Sequence, residues 1–175
     1  MDLGLHTATQ SVHRTHQAHR LRLTTEPRIK YRCVTHTHIW EVLSMTALRG
    51  ELTNTSWEES TYAERDGERR LTRAAVTQDV AGDITGTGQA EWLMSYAEDG
   101  TAHFVGLQQL EGRIDGREGS VVLETIGDFD GHEATWIAKV VDGSGTGEWT
   151  GMRGEGRFQA PHGPKASFTL DCSFD

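Results

Sequence analysis

From Arg49 to the C-terminus, apolar and polar side chains alternate, and Gly-containing turns cut that alternation at short intervals. A period of two puts successive side chains on opposite faces of an extended strand. No stretch after Arg49 keeps a helical period for more than two turns, so helices are excluded as the main building material. Gln89–Ala97 is the clearest strand, with Ala90, Trp92, Met94 and Tyr96 on one face and Glu91, Leu93 and Ser95 on the other. Glu98-Asp99-Gly100 reads as a hairpin turn, because glycine takes positive φ at no steric cost. Thr101–Ile114 follows, with His103, Val105, Leu107 and Gln109 opposite Phe104, Gly106, Gln108 and Leu110. Asp115-Gly116 and Asp130-Gly131 then bracket a strand over Ser120–Phe129, and Glu133–Val141 sets Ala134, Trp136, Ala138 and Val140 on one face. Leu71–Val80, a kinked Glu148–Gln159 and Lys165–Phe174 complete the strong strands, while Glu51–Trp57 alternates weakly. Glu58–Arg70 is charged, contains Asp66-Gly67, and reads as a loop.

Seven or eight antiparallel strands make a sheet that has to fold over or close on itself. Glycines inside strands mark bends and bulges, and closure needs such kinks. The fold class expected is therefore all-β: a small closed antiparallel barrel of about eight strands. Gly82–Gly88 is glycine-rich enough to be mistaken for a phosphate loop, but it lacks the following Lys and the apolar helix that such a loop needs.

Composition divides the chain in two. Residues 1–44 hold six Lys/Arg against three Asp/Glu, six of the nine histidines and one of the 20 glycines; the remainder carries 11 Lys/Arg against 23 Asp/Glu. Residues 1–44 are read as a poorly ordered N-terminal extension and residues 45–175 as the barrel domain, with Met45 as a candidate natural start. His13, His16 and His19 lack a carboxylate or cysteine to complete a ligand set, so no metal site is expected. The overall charge of −9 argues against a nucleic-acid partner. Cys33 and Cys172, one on each side of the boundary, make no disulfide framework. No apolar run reaches the length of a membrane span, and the N-terminus lacks the apolar core of a secretory signal, so a cytoplasmic protein without a membrane partner is expected.

Two long segments, LTRAAVTQDVAGDITGTGQAEWLMSYAEDGTAHFVGLQQLEGRIDGREGS and GSGTGEWTGMRGEGRFQAPHGPKASFTLD, resemble an uncharacterised bacterial family, domain of unknown function 3224. The resemblance runs from about Arg49 to the C-terminus, in several segments in order, and leaves residues 1–44 outside. It implies a barrel similar to that of plant allene oxide cyclases, and it implies no known activity. Glu124-Thr125 stands where the resemblance leads one to expect Gln-His, and Cys172 stands where it leads one to expect Tyr.

A barrel of this size has an interior that side chains fill or that holds one small ligand. Trp92, Met94, Tyr96, His103, Trp136 and Trp149 are the candidate ligand-binding residues, because aromatic and Met side chains suit an apolar pocket. Glu124, between Val122 and Ile126 on one strand face, is the candidate catalytic group: a carboxylate flanked by aliphatics is a candidate for desolvation and so for acid or base work. Arg113, Arg117, Arg153 and Arg157 offer a carboxylate-binding alternative or plain ion pairs. No nucleophile motif, triad or cofactor signature is present. Three functions are compatible with this pattern: a binder of a small hydrophobic or amphipathic molecule, a cyclase or isomerase using the same cavity, and a self-associating homo-oligomeric module with a solid interior. Which face of each strand points inward is left open by the alternation itself, since both faces are mixed.

Overall fold

The computed structural model describes residues 45–64, 69–161 and 163–175. The N-terminal extension over residues 1–44, the Asp66-Gly67 turn and His162 lie outside the described residues. The described residues contain β-strands and no helix. In chain order the strands are β1 (Thr46–Ala63), β2 (Arg70–Gly82), β3 (Ile84–Tyr96), β4 (Ala102–Ile114), β5 (Arg117–Phe129), β6 (Glu133–Val140), β7 (Thr146–Gly147), β8 (Arg153–Pro161) and β9 (Lys165–Ser173).

Each long strand pairs antiparallel with the next, and β1 pairs with β9 to close the ring, with register from Thr46↔Cys172 to Thr53↔Lys165. The result is a closed eight-stranded barrel; the two-residue β7 adds a short pairing beside the start of β5. Closure leaves the eight strands with no long free edge where they all overlap. The β4–β5 turn shows why Asp-Gly is placed there: Asp115 has φ 50° and Gly116 φ 81°, the double positive φ of a two-residue hairpin whose twist matches its strands.

The alternation resolves into an inside and an outside. Ala90, Trp92 and Met94 are buried, and so are Phe104, Gln108 and Leu110 from β4. His103 therefore faces solvent, as do Gln109 and Glu111 on the same face, which corrects the expectation that His103 lines a pocket. On β5, Val121, Leu123 and Thr125 are buried and Glu124 is exposed.

Two elements differ from the sequence reading. The supposed loop at Glu58–Arg70 is strand as far as Ala63, and pairs with β2. Its inward face carries Trp57 and Glu59 where a core strand would carry two aliphatics, so the hydrophobic period is lost. Glu148–Gln159 is not one strand: residues 148–152 form a turn that drops Trp149 and Met152 into the interior before β8 begins at Arg153.

Candidate functional site

The strands place chemically different residues at the two ends of the barrel. At the end carrying the β2–β3, β4–β5 and β6–β8 connections, the interior is solid. Leu48, Ile84, Leu110, Ile114, Val121 and Leu170 fill it, and Trp149 seals it with its indole N–H donating to the Arg117 carbonyl at 3.0 Å. Arg117 lies over the Phe174 ring at 4.4 Å, and Arg153 pairs with Asp175 at 3.1 Å. Arg113 pairs with Glu118. Buried Cys172 is here too, its thiol pushed up to about 11 chiefly by burial, so it stays protonated and unreactive at neutral pH.

At the opposite end a cavity of about 300 Å³ opens. Its wall is aromatic. Trp92, Phe104 and Trp136 meet edge-on or tilted with centroids 5.7–6.1 Å apart, and the contact continues as stacked pairs through Phe158 to Phe168. Met94, Tyr96 and Phe129 complete the upper wall. Offset and edge-to-face contacts of this kind hold rings in fixed orientations. The backbone makes room for them at two glycines. A Cβ at Gly106 would sit 2.7 Å from the Trp92 ring, and one at Gly127 would sit 2.7 Å from the tip of Phe104.

One side of the mouth is built by β1. β9 accompanies β1 only as far as Thr53, so among the described residues the rest of β1 is paired on one side alone, with β2. A bulge at Thr55 inserts an extra residue, and Asn54 and Trp57 both line the cavity as a result. Trp57 reaches Trp92 at 5.8 Å between centroids. The Glu59 carboxylate anchors this flap: it accepts from the Thr72 hydroxyl at 2.6 Å and from the Trp57 indole at 3.0 Å, with the Tyr96 hydroxyl at 3.5 Å. Burial, and then the Glu59 charge, push the Tyr96 hydroxyl up to about 12, so it remains a phenol and a donor at any physiological pH. Arg70 covers the Tyr96 ring at 4.6 Å.

The polar part of the wall is a relay of amides. Gln108 donates to Gln78 at 2.6 Å, and Gln78 donates to Asn54 at 2.9 Å. The Trp92 indole donates to Thr125 at 3.0 Å, which passes its own proton to the Gly106 carbonyl. Among the described residues two buried side-chain polar atoms have no partner, Gln108 Oε1 and Trp136 Nε1. Such groups cost about 1–3 kcal/mol each when left unpaired, and both belong to residues that line or adjoin the cavity. No cluster of three or more His, Cys, Asp or Glu side chains that could hold a metal ion occurs among the described residues.

Of the residues singled out by the sequence, the structure brings Trp92, Met94, Tyr96 and Trp136 together around this cavity. It does not bring the others there. His103 is on the outer wall, hydrogen-bonded to Asp128 at 2.8 Å. Trp149 plugs the far end. Glu124 is on the outer wall across from Lys139, so the desolvation expected of it does not arise. Asn54, Trp57, Glu59 and Gln78 were not singled out by the sequence reading. Asn54, Trp57 and Gln78 lie on segments read as strand but carry no site signal of their own. Glu59 lies in the stretch read as a loop, where Thr61 and Tyr62, following Trp57, were the one sign of a strand.

The family model described as "Protein of unknown function (DUF3224)" matches residues 48–172. No curated protein matches the chain. Among solved structures, a protein of unknown function from the DUF3224 family of Shewanella oneidensis MR-1 is similar, with 28% sequence identity and a TM-score of 0.61, over 75% of this chain and 99% of that one.

Proposed function

The chain belongs to the family of proteins of unknown function DUF3224, and from that premise we propose that its barrel binds one small hydrophobic or amphipathic molecule at its open end. The observation that carries this reading is the aromatic cavity of about 300 Å³, open at one end of a barrel whose other end is packed solid. A dry engineered cavity of about 150 Å³ takes benzene, so the space here suits a two-ring or short-chain molecule. Trp57, Trp92 and Trp136 offer flat faces for it, and the Asn54–Gln78 amides offer one polar contact. Binding is favoured over cyclase or isomerase chemistry by the character of the wall. Among its described lining residues it has no carboxylate, imidazole or thiol. Glu59 stands behind the wall at the mouth, tied to Thr72 and Trp57, and Lys165, the one charged lining side chain, faces Glu51 at 3.4 Å.

Titration with 1-naphthol, followed by tryptophan fluorescence, tests the reading, together with native mass spectrometry of protein purified without organic solvent. Saturable one-to-one quenching is expected, and Ala134→Phe, which fills the cavity from β6, is expected to abolish it while leaving the circular dichroism unchanged. Non-saturating quenching combined with a clean apo mass would refute the proposal, and so would equal binding by the filled variant.

A further inference from the structure

The outer wall carries a second feature, independent of the cavity. Leu93, Val105, Ile126 and Ile137 are exposed by 50, 40, 45 and 45%, and Leu107 by 53%. The strand register puts the first four in a single line: Leu93 is opposite Val105, Val105 opposite Ile126, and Ile126 opposite Ile137. Four adjacent strands thus present a continuous aliphatic row to solvent, with Leu107 beside it. Single exposed aliphatics need no explanation, but a contiguous row on one wall marks a contact surface.

The charges around the row identify the partner. On one side of it, in strand order β3 to β6, stand Glu91, Leu107, Glu124 and Lys139; on the other stand Ser95, His103, Asp128 and Thr135. We infer that this wall is where two copies of the chain meet, about a two-fold axis running parallel to β4 and β5 and between them. That rotation lays β3 of one copy over β6 of the other and β4 over β5. Leu93 then faces Ile137 and Val105 faces Ile126, so the aliphatic row covers itself. Glu91 faces Lys139 and Ser95 faces Thr135. Leu107 lies on the aliphatic stem of Glu124, and the His103–Asp128 pair of each copy, 2.8 Å within the chain, meets its counterpart with His103 facing Asp128 across the axis. A two-fold axis along the row would instead set Glu124 on Asp128, carboxylate against carboxylate, and is disfavoured. Arg73 and Arg157, which continue the row on β2 and β8, lie where the barrel curves away from the contact, and Arg73 is already paired with Glu91 at 2.8 Å. A closed two-fold contact of this kind uses one patch twice, as an isologous interface does, with an apolar centre and a polar rim.

Sedimentation equilibrium of the full chain from about 1 to 100 μM tests the assignment. A two-chain mass is expected for the natural sequence, and Val105→Asp combined with Ile126→Asp is expected to give a single-chain mass with unchanged circular dichroism. His103→Asp alone, which sets two carboxylates against each other across the axis, should weaken association at least tenfold, and adding Asp128→His should restore it. A single-chain mass for the natural sequence at the highest concentration would overturn the inference. A dimer that survives the double aspartate variant would overturn it too, placing the contact elsewhere. An assembly larger than two chains would overturn the closed two-fold geometry.

Discussion

The two ends of the barrel are made by the same eight strands and do opposite things. At the sealed end, aliphatic side chains from several strands meet at the axis, and Trp149 fills what they leave, so the interior packs as a core does. At the open end the inward positions are taken by rings, which stand against the wall at fixed angles and leave a space between them. Rings are rigid and flat, and a ring of rigid flat groups cannot collapse inward as branched aliphatics do. The difference teaches that the cavity is a consequence of side-chain shape more than of strand number or closure.

The most severe disruption of this contrast should come from Gly127→Val. Its Cβ would lie 2.4 Å from the Thr135 carbonyl oxygen and from Trp136 Cβ and 2.7 Å from Phe104. The strand backbone itself must then move, which takes the cost well beyond the roughly 1–3 kcal/mol of ordinary overpacking; the protein is expected to lose its cooperative thermal transition. Trp149→Ala opens the sealed end instead. Loss of a buried Trp costs about 3–5 kcal/mol, but naphthol affinity measured below the transition should be unchanged, because the indole lies at the far end of the barrel. If affinity falls together with stability, the two ends are not separable.

Trp92→Phe is a subtler test. It keeps a ring but removes the bond to Thr125, leaving that hydroxyl to its Gly106 contact; a loss of about 1 kcal/mol is expected in urea titration. High pH sharpens the picture of the mouth. The folded-state value for the Tyr96 hydroxyl, about 12, lies above its ordinary value of 10. The neutral phenol therefore favours the folded state fully below pH 10, and this contribution is lost as pH rises from 10 towards 12. Tyrosinate absorbance should show one late-titrating tyrosine that Tyr96→Phe removes, and the variant's stability should decline less over that window. The smallest effect expected is that of Glu124→Gln, which should leave naphthol binding unaltered, since the carboxylate is outside the barrel.

Much of the barrel was legible because alternation and turn chemistry are local. Gln89–Ala97 needed only its own residues, and Asp115-Gly116 announced a two-residue hairpin. The reading failed where local signals conflicted with tertiary need. Ser56–Ala63 is strand although its inward face carries Glu59, because at this open end the carboxylate stays exposed while it also accepts from Thr72 and Trp57. Glu148–Met152 has the composition of a strand but turns, because Trp149 is needed as a plug.

By itself the sequence determined that this chain is a closed antiparallel barrel, where most of its strands and hairpins lie, and that it bears the marks of its family. A period of two and a few Gly-bearing turns suffice for that. It could not determine which face points inward, since alternation is symmetric between faces until closure chooses one. Tertiary structure made that choice: it put Phe104 inside and His103 outside, moved Trp149 to one end and Trp57 to the other, and lined Leu93, Val105, Ile126 and Ile137 into one exposed row. Those outcomes depend on register between strands distant in sequence, a relation that no single strand encodes.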